Sequence, residues 1–189
     1  MKRSRDQGSI TESEFAEAQA KHLVVTFFSK SKDGDARYLS NFESSQPLII
    51  DGKEYASIEH RFQAAKYECS KKLGSAEAPD FTTAGKMSAA QAKSKGGRKG
   101  MGSGWALDVS LWNARRLEIM TEAIRARLAQ DEKFRDIAVR MRKEGKLLLH
   151  FERGKNPYWG ARVTESKQLE GQNMLGEILM REIAQMPPV

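Results

Sequence analysis

The stretch from Ser57 to Tyr67, SIEHRFQAAKY, decides the fold because helical periodicity begins there, and it predicts a helix over residues 57–70. Its first residue suits an N-cap, since a serine hydroxyl can accept a free N–H of the first turn. At about 100° per residue, four apolar side chains fall on one narrow face that is expected to pack on a core: Ile58, Phe62, Ala65 and Cys69. The opposite face is expected to point to water, and it carries Arg61, Ala64 and Glu68.

Three polar side chains lie together beside that apolar face, at the rim where core meets solvent. Glu59, Gln63 and Lys66 follow one another at spacings of four and three residues. The same spacing is typical of a solvated helix, with an i,i+4 polar pair and a lysine stem that covers apolar surface. Glu59 falls in the first turn, where the positive end of the helix keeps a carboxylate ionised. The spacing alone leaves both interpretations open, a solvated face and the lining of a site.

Strand signals lie on both sides of this helix. The β-branched and aromatic run LVVTFF, Leu23–Phe28, predicts a buried strand, and KLLLHF, Lys146–Phe151, predicts a late one. Asp51-Gly52 predicts a hairpin, because a tight primed turn requires positive φ at both central residues. Further helices are predicted over residues 84–94, 111–129, 131–143 and 173–185, with a short one after an N-cap at Ser13.

The predicted elements together indicate the fold class. The longest helix carries an apolar stripe that is expected to be core, namely Trp112, Leu117, Met120, Ile124 and Leu128. A few strands and many helices without internal repeats predict an α+β protein, a single compact, mainly helical domain with a small antiparallel sheet. We expect residues 1–22 to be a polar N-terminal tail or short helix and residues 23–189 to form the domain.

The composition bounds the class of protein. Hydrophobic residues make up 39% and charged residues 30% of 189, an ordinary globular balance. No apolar run reaches the roughly 20 residues that span a bilayer, and the start lacks the apolar core of a signal peptide. We therefore expect a cytoplasmic protein, or a nuclear one in a eukaryote, with no membrane partner. The single cysteine cannot form an internal disulfide, and the three histidines are too scattered for a local metal motif, so no metal and no cofactor is expected.

The positive charge of the chain is concentrated in one segment. The formal net charge is +7, and between Phe81 and Leu107 there are five basic residues and no acidic one: Lys86, Lys93, Lys95, Arg98 and Lys99. Such an excess favours a phosphate-bearing partner. The run KSKGGRKGMGSG lacks the Gly-Lys-Ser/Thr ending of a Walker loop. It is interpreted either as a flexible basic flap that contacts a nucleic-acid backbone or as a solvated loop.

Five segments occur in an order that resembles the NADAR (YbiA-like) family. They are YLSNF, IIDGKEYASIEHRFQAAKY, the LW before RRLEIM, PYWG and GQNMLGEILMRE, and the resemblance runs from about Val25 to Glu182. Any one segment would be weak evidence, whereas the ordered set is specific. The resemblance implies a compact, mainly helical α+β fold and an enzyme that hydrolyses N-glycosidic bonds in ribose-phosphate compounds. Residues 23–189 would then be a NADAR-like catalytic domain.

The resemblance implies two possible substrate classes. One family activity removes ADP-ribose from guanine bases of nucleic acid and so reverses ADP-ribosylation; the basic segment and the net charge favour this one. The other activity cleaves ribosylated pyrimidine phosphate intermediates of riboflavin biosynthesis. A third interpretation belongs to a different class, a non-catalytic module that binds ADP-ribose or nucleic acid. The oligomeric state is left open.

The family roles carry over residue by residue. Glu59 matches the motif carboxylate, which would stabilise the oxocarbenium-like transition state or activate water. Lys66 would either bind a phosphate or attack the anomeric carbon and form a Schiff base. The residues implied in substrate binding are Asn41, Phe42, Gln63, Trp112, Trp159, Gly160, Asn173 and Gly176.

Several of these residues also have an ordinary structural role as an alternative. Trp159 in the loop NPYWG is the better candidate for stacking on a base, because core packing is a rival role for Trp112. Asn41 could simply form an Asx-turn. The start of the last helix, GQNMLG, offers free backbone N–H groups for a phosphate, or else a plain N-cap at Asn173.

Three positions depart from the family pattern. Asn113 follows the helix tryptophan where an acid is usual, Ala161 follows the late Trp-Gly, and His150 stands where a strand glutamate is expected, although Glu152 is close. Fewer acids and more bases suggest a more anionic substrate. The same losses put in doubt any mechanism that needs a second carboxylate.

Overall fold

The computed structural model describes residues 10–186, and helices make up most of its regular structure. The α-helices of this range are α1 (Glu12–Ala20), α2 (Gly34–Tyr38), α3 (Ile58–Glu68), α4 (Ala89–Lys95), α5 (Arg98–Met101), α6 (Val109–Gln130), α7 (Glu132–Lys143) and α8 (Met174–Gln185). The strands are β1 (Val24–Phe27), β2 (Leu48–Ile50), β3 (Lys53–Tyr55), β4 (Ser70–Lys72), β5 (Trp105–Leu107), β6 (Leu147–His150), β7 (Ala161–Val163) and β8 (Leu169–Gly171).

The strands of residues 10–186 form separate two-stranded pairs. β2 with β3, β4 with β5, and β7 with β8 are antiparallel, whereas β1 and β6 are parallel. The predicted class, a mainly helical α+β protein with small antiparallel sheet structure, is confirmed. The two runs that predicted strands at Leu23–Phe28 and Lys146–Phe151 are each other's partners in the parallel pair.

Contacts divide the chain into two compact units, which are described separately. The first unit comprises residues 1–39 and 136–189, of which residues 10–39 and 136–186 are described, and the second comprises residues 40–135. The assignment of residues 23–189 to one NADAR-like domain stays a prediction. Most of the predicted tail, residues 1–9, lies outside the described residues.

The first unit is built on the parallel pair. β1 and β6 pair from Val24–Leu147 to Phe27–His150, and α8 lies against β6. The inward residues of α8 are buried as the sequence predicted, namely Leu175, Ile178 and Leu179. Phe15 of α1 is buried in a cluster with Leu149 and Ala161. The N-cap of α1 is Thr11, not Ser13, because Thr11 and Glu14 form a reciprocal capping box.

The second unit is built on α3. The predicted hairpin is present, with φ of 50° at Asp51 and 72° at Gly52. α3 packs against α6 and α4, and its predicted core residues Ile58, Phe62, Ala65 and Cys69 are buried. In α6, Trp112, Met120, Ile124 and Leu128 are buried as predicted, whereas Leu117 is exposed and the expectation that it is core is wrong. Ile119 and Ala123 complete the buried stripe in its place.

Neither α2 nor β4 was predicted from the sequence. The run SKSKDGDARY contains α2, whose N-cap Asp33 accepts hydrogen bonds from the N–H groups of Asp35 and Ala36. Strand structure also continues beyond the hairpin, since β4 directly after α3 pairs with β5. Among the described helices, none has the length and hydrophobicity needed to cross a membrane.

Glu177, in the first turn of α8, holds the start of the described chain. Its Oε1 accepts a hydrogen bond from the Ile10 N–H at 2.8 Å. Burial raises the pKa of the Glu177 carboxyl to about 7, against the effect of the Ile10 hydrogen bond, and the charge of Glu14 raises it further. Because this pKa is raised above that of the unfolded chain, the stability gained on protonation is fully present below about pH 4.5 and is lost as the pH rises through about 7.

We expect Glu177→Gln to reduce the loss of stability with rising pH, because glutamine keeps an oxygen acceptor for Ile10 and carries no charge to bury. The free energy of unfolding, measured with chemical denaturant between about pH 5 and pH 8, should fall less in this variant than in the wild type. The exposed Glu165 provides the control, and Glu165→Gln should keep the wild-type dependence. Identical pH profiles for Glu177→Gln and the wild type would contradict this account.

Candidate active site on helix α3

The start of α3 is fixed by a buried chain of hydrogen bonds. Ser57 is the N-cap, and its Oγ lies 2.7 Å from Nδ1 of His60. Nε2 of His60 lies 2.9 Å from the carbonyl oxygen of Met87. Since a carbonyl can only accept, Nε2 carries the proton and Nδ1 accepts from the serine hydroxyl. Burial lowers the pKa of His60, which favours this neutral form and holds the first turn of α3 in place.

Glu59 follows directly after this anchor and is 6% exposed. Its Oε1 accepts a hydrogen bond of 2.7 Å from Nε2 of Gln63, and its own N–H donates to the Asn41 carbonyl at 3.0 Å. A buried carboxylate needs such donors, and the positive end of α3 adds to them. Of the two interpretations of the spacing, a solvated face is excluded for Glu59 and Gln63, because both side chains are buried.

Lys66 is half-buried on the same side of α3. Its Nζ lies 5.6 Å from the ring centroid of Phe62 and 5.6 Å from that of Trp112, and it donates to the Gly96 carbonyl at 3.3 Å. Burial lowers the pKa of Lys66; the charge of Glu59 acts in the opposite direction, and the charge of Lys93 lowers it further. The amine therefore deprotonates more easily than that of an exposed lysine.

Trp112 serves both as core and as a wall beside the amine. Its ring meets that of Phe62 edge to face, with centroids 4.9 Å apart, and the side chain is buried. The rival role that the sequence suggested, core packing, is thus present. The face of the ring also lies within cation–π range of Lys66.

The YLSNF segment reaches the same region. Besides its carbonyl bond to Glu59, the buried Asn41 places Nδ2 3.6 Å from the Met120 sulfur. Phe42 is half-buried, and Nζ of Lys93 lies 5.6 Å from its ring centroid. The second unit thus brings together six of the predicted site residues: Asn41, Phe42, Glu59, Gln63, Lys66 and Trp112.

The basic segment is not the loop that the sequence suggested. Lys93 and Lys95 lie on the last turn of α4, and Arg98 and Lys99 lie on α5. All four side chains are exposed. The backbone is compact here, because Gly100 approaches the carbonyl oxygens of the preceding helix too closely for a side chain. Sequence reasoning missed that Lys93 and Gly96 border the site. The glycine pair after α4 could have indicated that the backbone closely approaches another element there.

The opposite face of α3 corrects another expectation. Arg61 was expected to point to water, but it is 5% exposed and binds Glu68 at 3.1 and 3.2 Å and Glu122 at 3.2 Å. Glu122 lies on α6, so the ion pairs join the two helices. A cavity of about 260 Å³ opens here and is lined mainly by charged side chains: Asp51, Lys53, Tyr55, Arg61, Glu68, Arg115, Glu118, Ile119 and Glu122.

Four further predicted site residues belong to the first unit: Trp159, Gly160, Asn173 and Gly176. The expectation that the start of α8 leaves free N–H groups is wrong, because the N–H groups of residues 172–175 donate to the carbonyls of residues 157–160. The Asn173 side chain accepts from the His150 N–H at 2.8 Å and donates to the Leu148 carbonyl at 2.9 Å. Asn173 thus joins α8 to β6.

The two glycines of this group allow close backbone packing. A Cβ at Gly160 would lie 2.7 Å from the His150 carbonyl oxygen, and one at Gly176 would lie 2.6 Å from the Asn173 side chain. Trp159 is half-buried, and its ring lies 5.1 Å from that of Tyr158. Contact of these four residues with a substrate stays a prediction.

The positions that depart from the family pattern lie in different surroundings. Asn113 is exposed on α6, and Ala161 is fully buried in β7. In the first unit, Glu152 accepts a hydrogen bond from the Gly160 N–H at 3.0 Å. Within residues 10–186, no group of three or more His, Cys, Asp or Glu side chains is arranged to hold a metal ion.

Comparisons with known proteins agree with this architecture. The family model described as the NADAR domain matches residues 27–185. Among solved structures, the NMR structure of the E. coli protein YbiA matches with a TM-score of 0.60 and 23% identity, over 96% of this chain and 89% of the YbiA chain. At that identity the likeness shows the fold. No curated protein matches the chain significantly.

Proposed function

The chain belongs to the NADAR domain family, and we propose that it is an N-glycosidase that removes ADP-ribose from guanine bases of nucleic acid. Family membership supports a glycosidase-type activity in general. The finer assignment is supported chiefly by one observation, a buried carboxylate and a desolvated amine on the same face of α3. The substrate class is supported by the exposed basic side chains beside them.

Glu59 has the environment that the reaction requires. Breaking a bond between ribose and a base nitrogen develops positive charge at the anomeric carbon, and a fixed carboxylate stabilises that charge or activates the attacking water. The hydrogen bond from Gln63 fixes the carboxylate in place, so it need not reorganise as the charge develops. Its burial strengthens the interaction relative to water.

Two alternative roles of Lys66 are compatible with this proposal. As a cation it would bind a phosphate of the substrate. As a neutral amine, its Nζ would form a bond to the anomeric carbon while the bond to the base breaks; the base leaves with the electron pair and gains a proton, and the amine loses one. Ring opening would then give an imine, which water hydrolyses to the free amine and the sugar aldehyde. The lowered pKa of Lys66 supports the second role, for which the position of Lys66 on the helix gives no evidence by itself.

The basic side chains on α4 and α5 suit a polymeric substrate. Lys93, Lys95, Arg98 and Lys99 are exposed, and no acidic residue lies between Phe81 and Leu107 to neutralise them within the segment. A nucleic-acid backbone carries a phosphate at each nucleotide and releases counterions when such cations bind. Trp159 remains the proposed partner for base stacking.

Glu59→Gln is expected to lose activity by on the order of 100-fold or more, the scale of removing a charge partner of the transition state. Glutamine keeps the shape and an oxygen that can still accept from Gln63, so the variant should fold like the wild type. The assay is release of ADP-ribose from a guanine-modified oligonucleotide, with thermal unfolding followed in parallel. Glu118→Gln, at an exposed position on α6, is the matched control. Turnover near the wild-type rate would refute the role of Glu59.

Borohydride trapping separates the two roles of Lys66. If an imine forms, borohydride added during turnover should reduce it and leave ADP-ribose attached to Lys66, as located by peptide mass spectrometry. Lys66→Arg should then abolish trapping and turnover, because guanidinium does not deprotonate to attack. Lys71→Arg, at an exposed position on β4, should change neither. Absence of an adduct together with an active arginine variant would assign Lys66 to phosphate binding.

Replacing Lys95, Arg98 and Lys99 together by glutamine is expected to raise the KM for a long modified oligonucleotide. The KM for a modified mononucleotide should hardly change. Binding to the oligonucleotide should also depend less steeply on salt, since fewer counterions are released. Lys93 is kept because its charge acts on Lys66. A charge-matched control replaces Lys53, Arg125 and Lys133, which are exposed elsewhere in the second unit. Equal effects on both substrates would contradict a backbone contact.

A further inference from the structure

We infer that Gly96 is a positioning residue for Glu59, because the missing side chain at Gly96 leaves the space in which the Gln63 amide is held against the carboxylate. The inference rests on the proposed function in so far as Glu59 acts in turnover. It adds a part of the molecule that lies outside α3, the end of α4, to the machinery that orients the carboxylate.

The geometry at Gly96 explains why a glycine is present. A Cβ built there would lie 2.8 Å from Cβ and 2.9 Å from Cδ of Gln63, and closer still to its Oε1. The backbone of Gly96 has φ of −81° and ψ of 0°, a conformation that any residue adopts. Glycine is therefore required here by the close approach of Gln63 and not by the backbone conformation.

The Gln63 amide has one favourable orientation. Its Nε2 donates to Glu59 Oε1 at 2.7 Å, and its Oε1 is buried with no hydrogen-bond partner among the described residues. Turning the amide over would place its oxygen against the carboxylate oxygens of Glu59 and lose the donor. The side chain is 3% exposed, so water does not reach the oxygen. A buried acceptor without a partner is unfavourable, and this one lies against the backbone of Gly96.

The end of α4 is held in place and has little room to withdraw. The Tyr67 hydroxyl donates to the Lys95 carbonyl at 2.9 Å, and Lys66 Nζ donates to the Gly96 carbonyl at 3.3 Å. The Gly96 N–H closes the helix by donating to Ala92 at 2.9 Å. A side chain at residue 96 would therefore displace Gln63. Rotation of the amide alone would not relieve the collision, because the Cβ of Gln63 is fixed to the α3 backbone.

The test compares Gly96→Ala with Gly74→Ala, where an added Cβ would make only an ordinary contact of 3.6 Å. We expect Gly96→Ala to lower kcat by roughly 10- to 100-fold with little change in KM, since a misplaced catalytic group costs rate more than binding. In a Gln63→Ala background, Gly96→Ala should cost almost nothing more, because both changes remove the same contact to Glu59. Full kcat in Gly96→Ala, or losses that multiply in the double variant, would overturn the inference.

A second measurement needs no activity. In the wild type and in Gly74→Ala, introducing Glu59→Gln should shift the NMR signals of the Gln63 side-chain amide, and in Gly96→Ala this response should be lost. A retained response in Gly96→Ala would overturn the inference. If the proposed function is wrong, the wild type will be inactive on every substrate tested, whereas the NMR result will be unchanged. If Gly96→Ala does not fold, folding regained in Gly96→Ala/Gln63→Ala supports the collision as the cause, and continued failure overturns it.

Discussion

The hydrogen bond between Gln63 and Glu59, buried in the first turns of α3, is the constraint on which the candidate site depends. A carboxylate away from water must be matched by donors and by a favourable field, and here a side-chain amide and the helix N-terminus supply them. Each neighbouring element contributes to holding this pair. The Asn41 carbonyl takes the Glu59 N–H, His60 and Ser57 fix the start of the helix, and Gly96 leaves room for the amide.

The same burial explains the chemistry available at Lys66. An amine that lies 5.6 Å from the centroids of two aromatic rings and donates to a glycine carbonyl is partly removed from water, so its charged form is disfavoured. Glu59 offsets this effect and Lys93 adds to it. A buried carboxylate and an amine of lowered pKa thus lie on one face of one helix. Active sites that combine an electrostatic stabiliser with a nucleophile contain such a combination of groups.

Local pattern was sufficient to predict α3, its core face and the Asp51-Gly52 hairpin, because each depends on residues close together in the sequence. The misassigned positions depend on partners far away in sequence. Arg61 is buried because Glu122, on another helix, and Glu68 neutralise it. The N–H groups at the start of α8 are used by the carbonyls of residues 157–160, in the loop before β7. Likewise, periodicity placed Glu59 and Gln63 at a rim, whereas both are buried, and the end of α4 at Gly96 lies directly against Gln63.

The most direct test of the account is the reaction itself, followed by mass spectrometry. The purified protein would be incubated with an oligonucleotide carrying ADP-ribose on guanine, with ribosylated pyrimidine phosphates in parallel. The account predicts the appearance of free ADP-ribose together with the unmodified oligonucleotide, and no such release by Glu59→Gln. An unchanged modified oligonucleotide would contradict the proposed substrate, and release that survives in Glu59→Gln would contradict the site on α3.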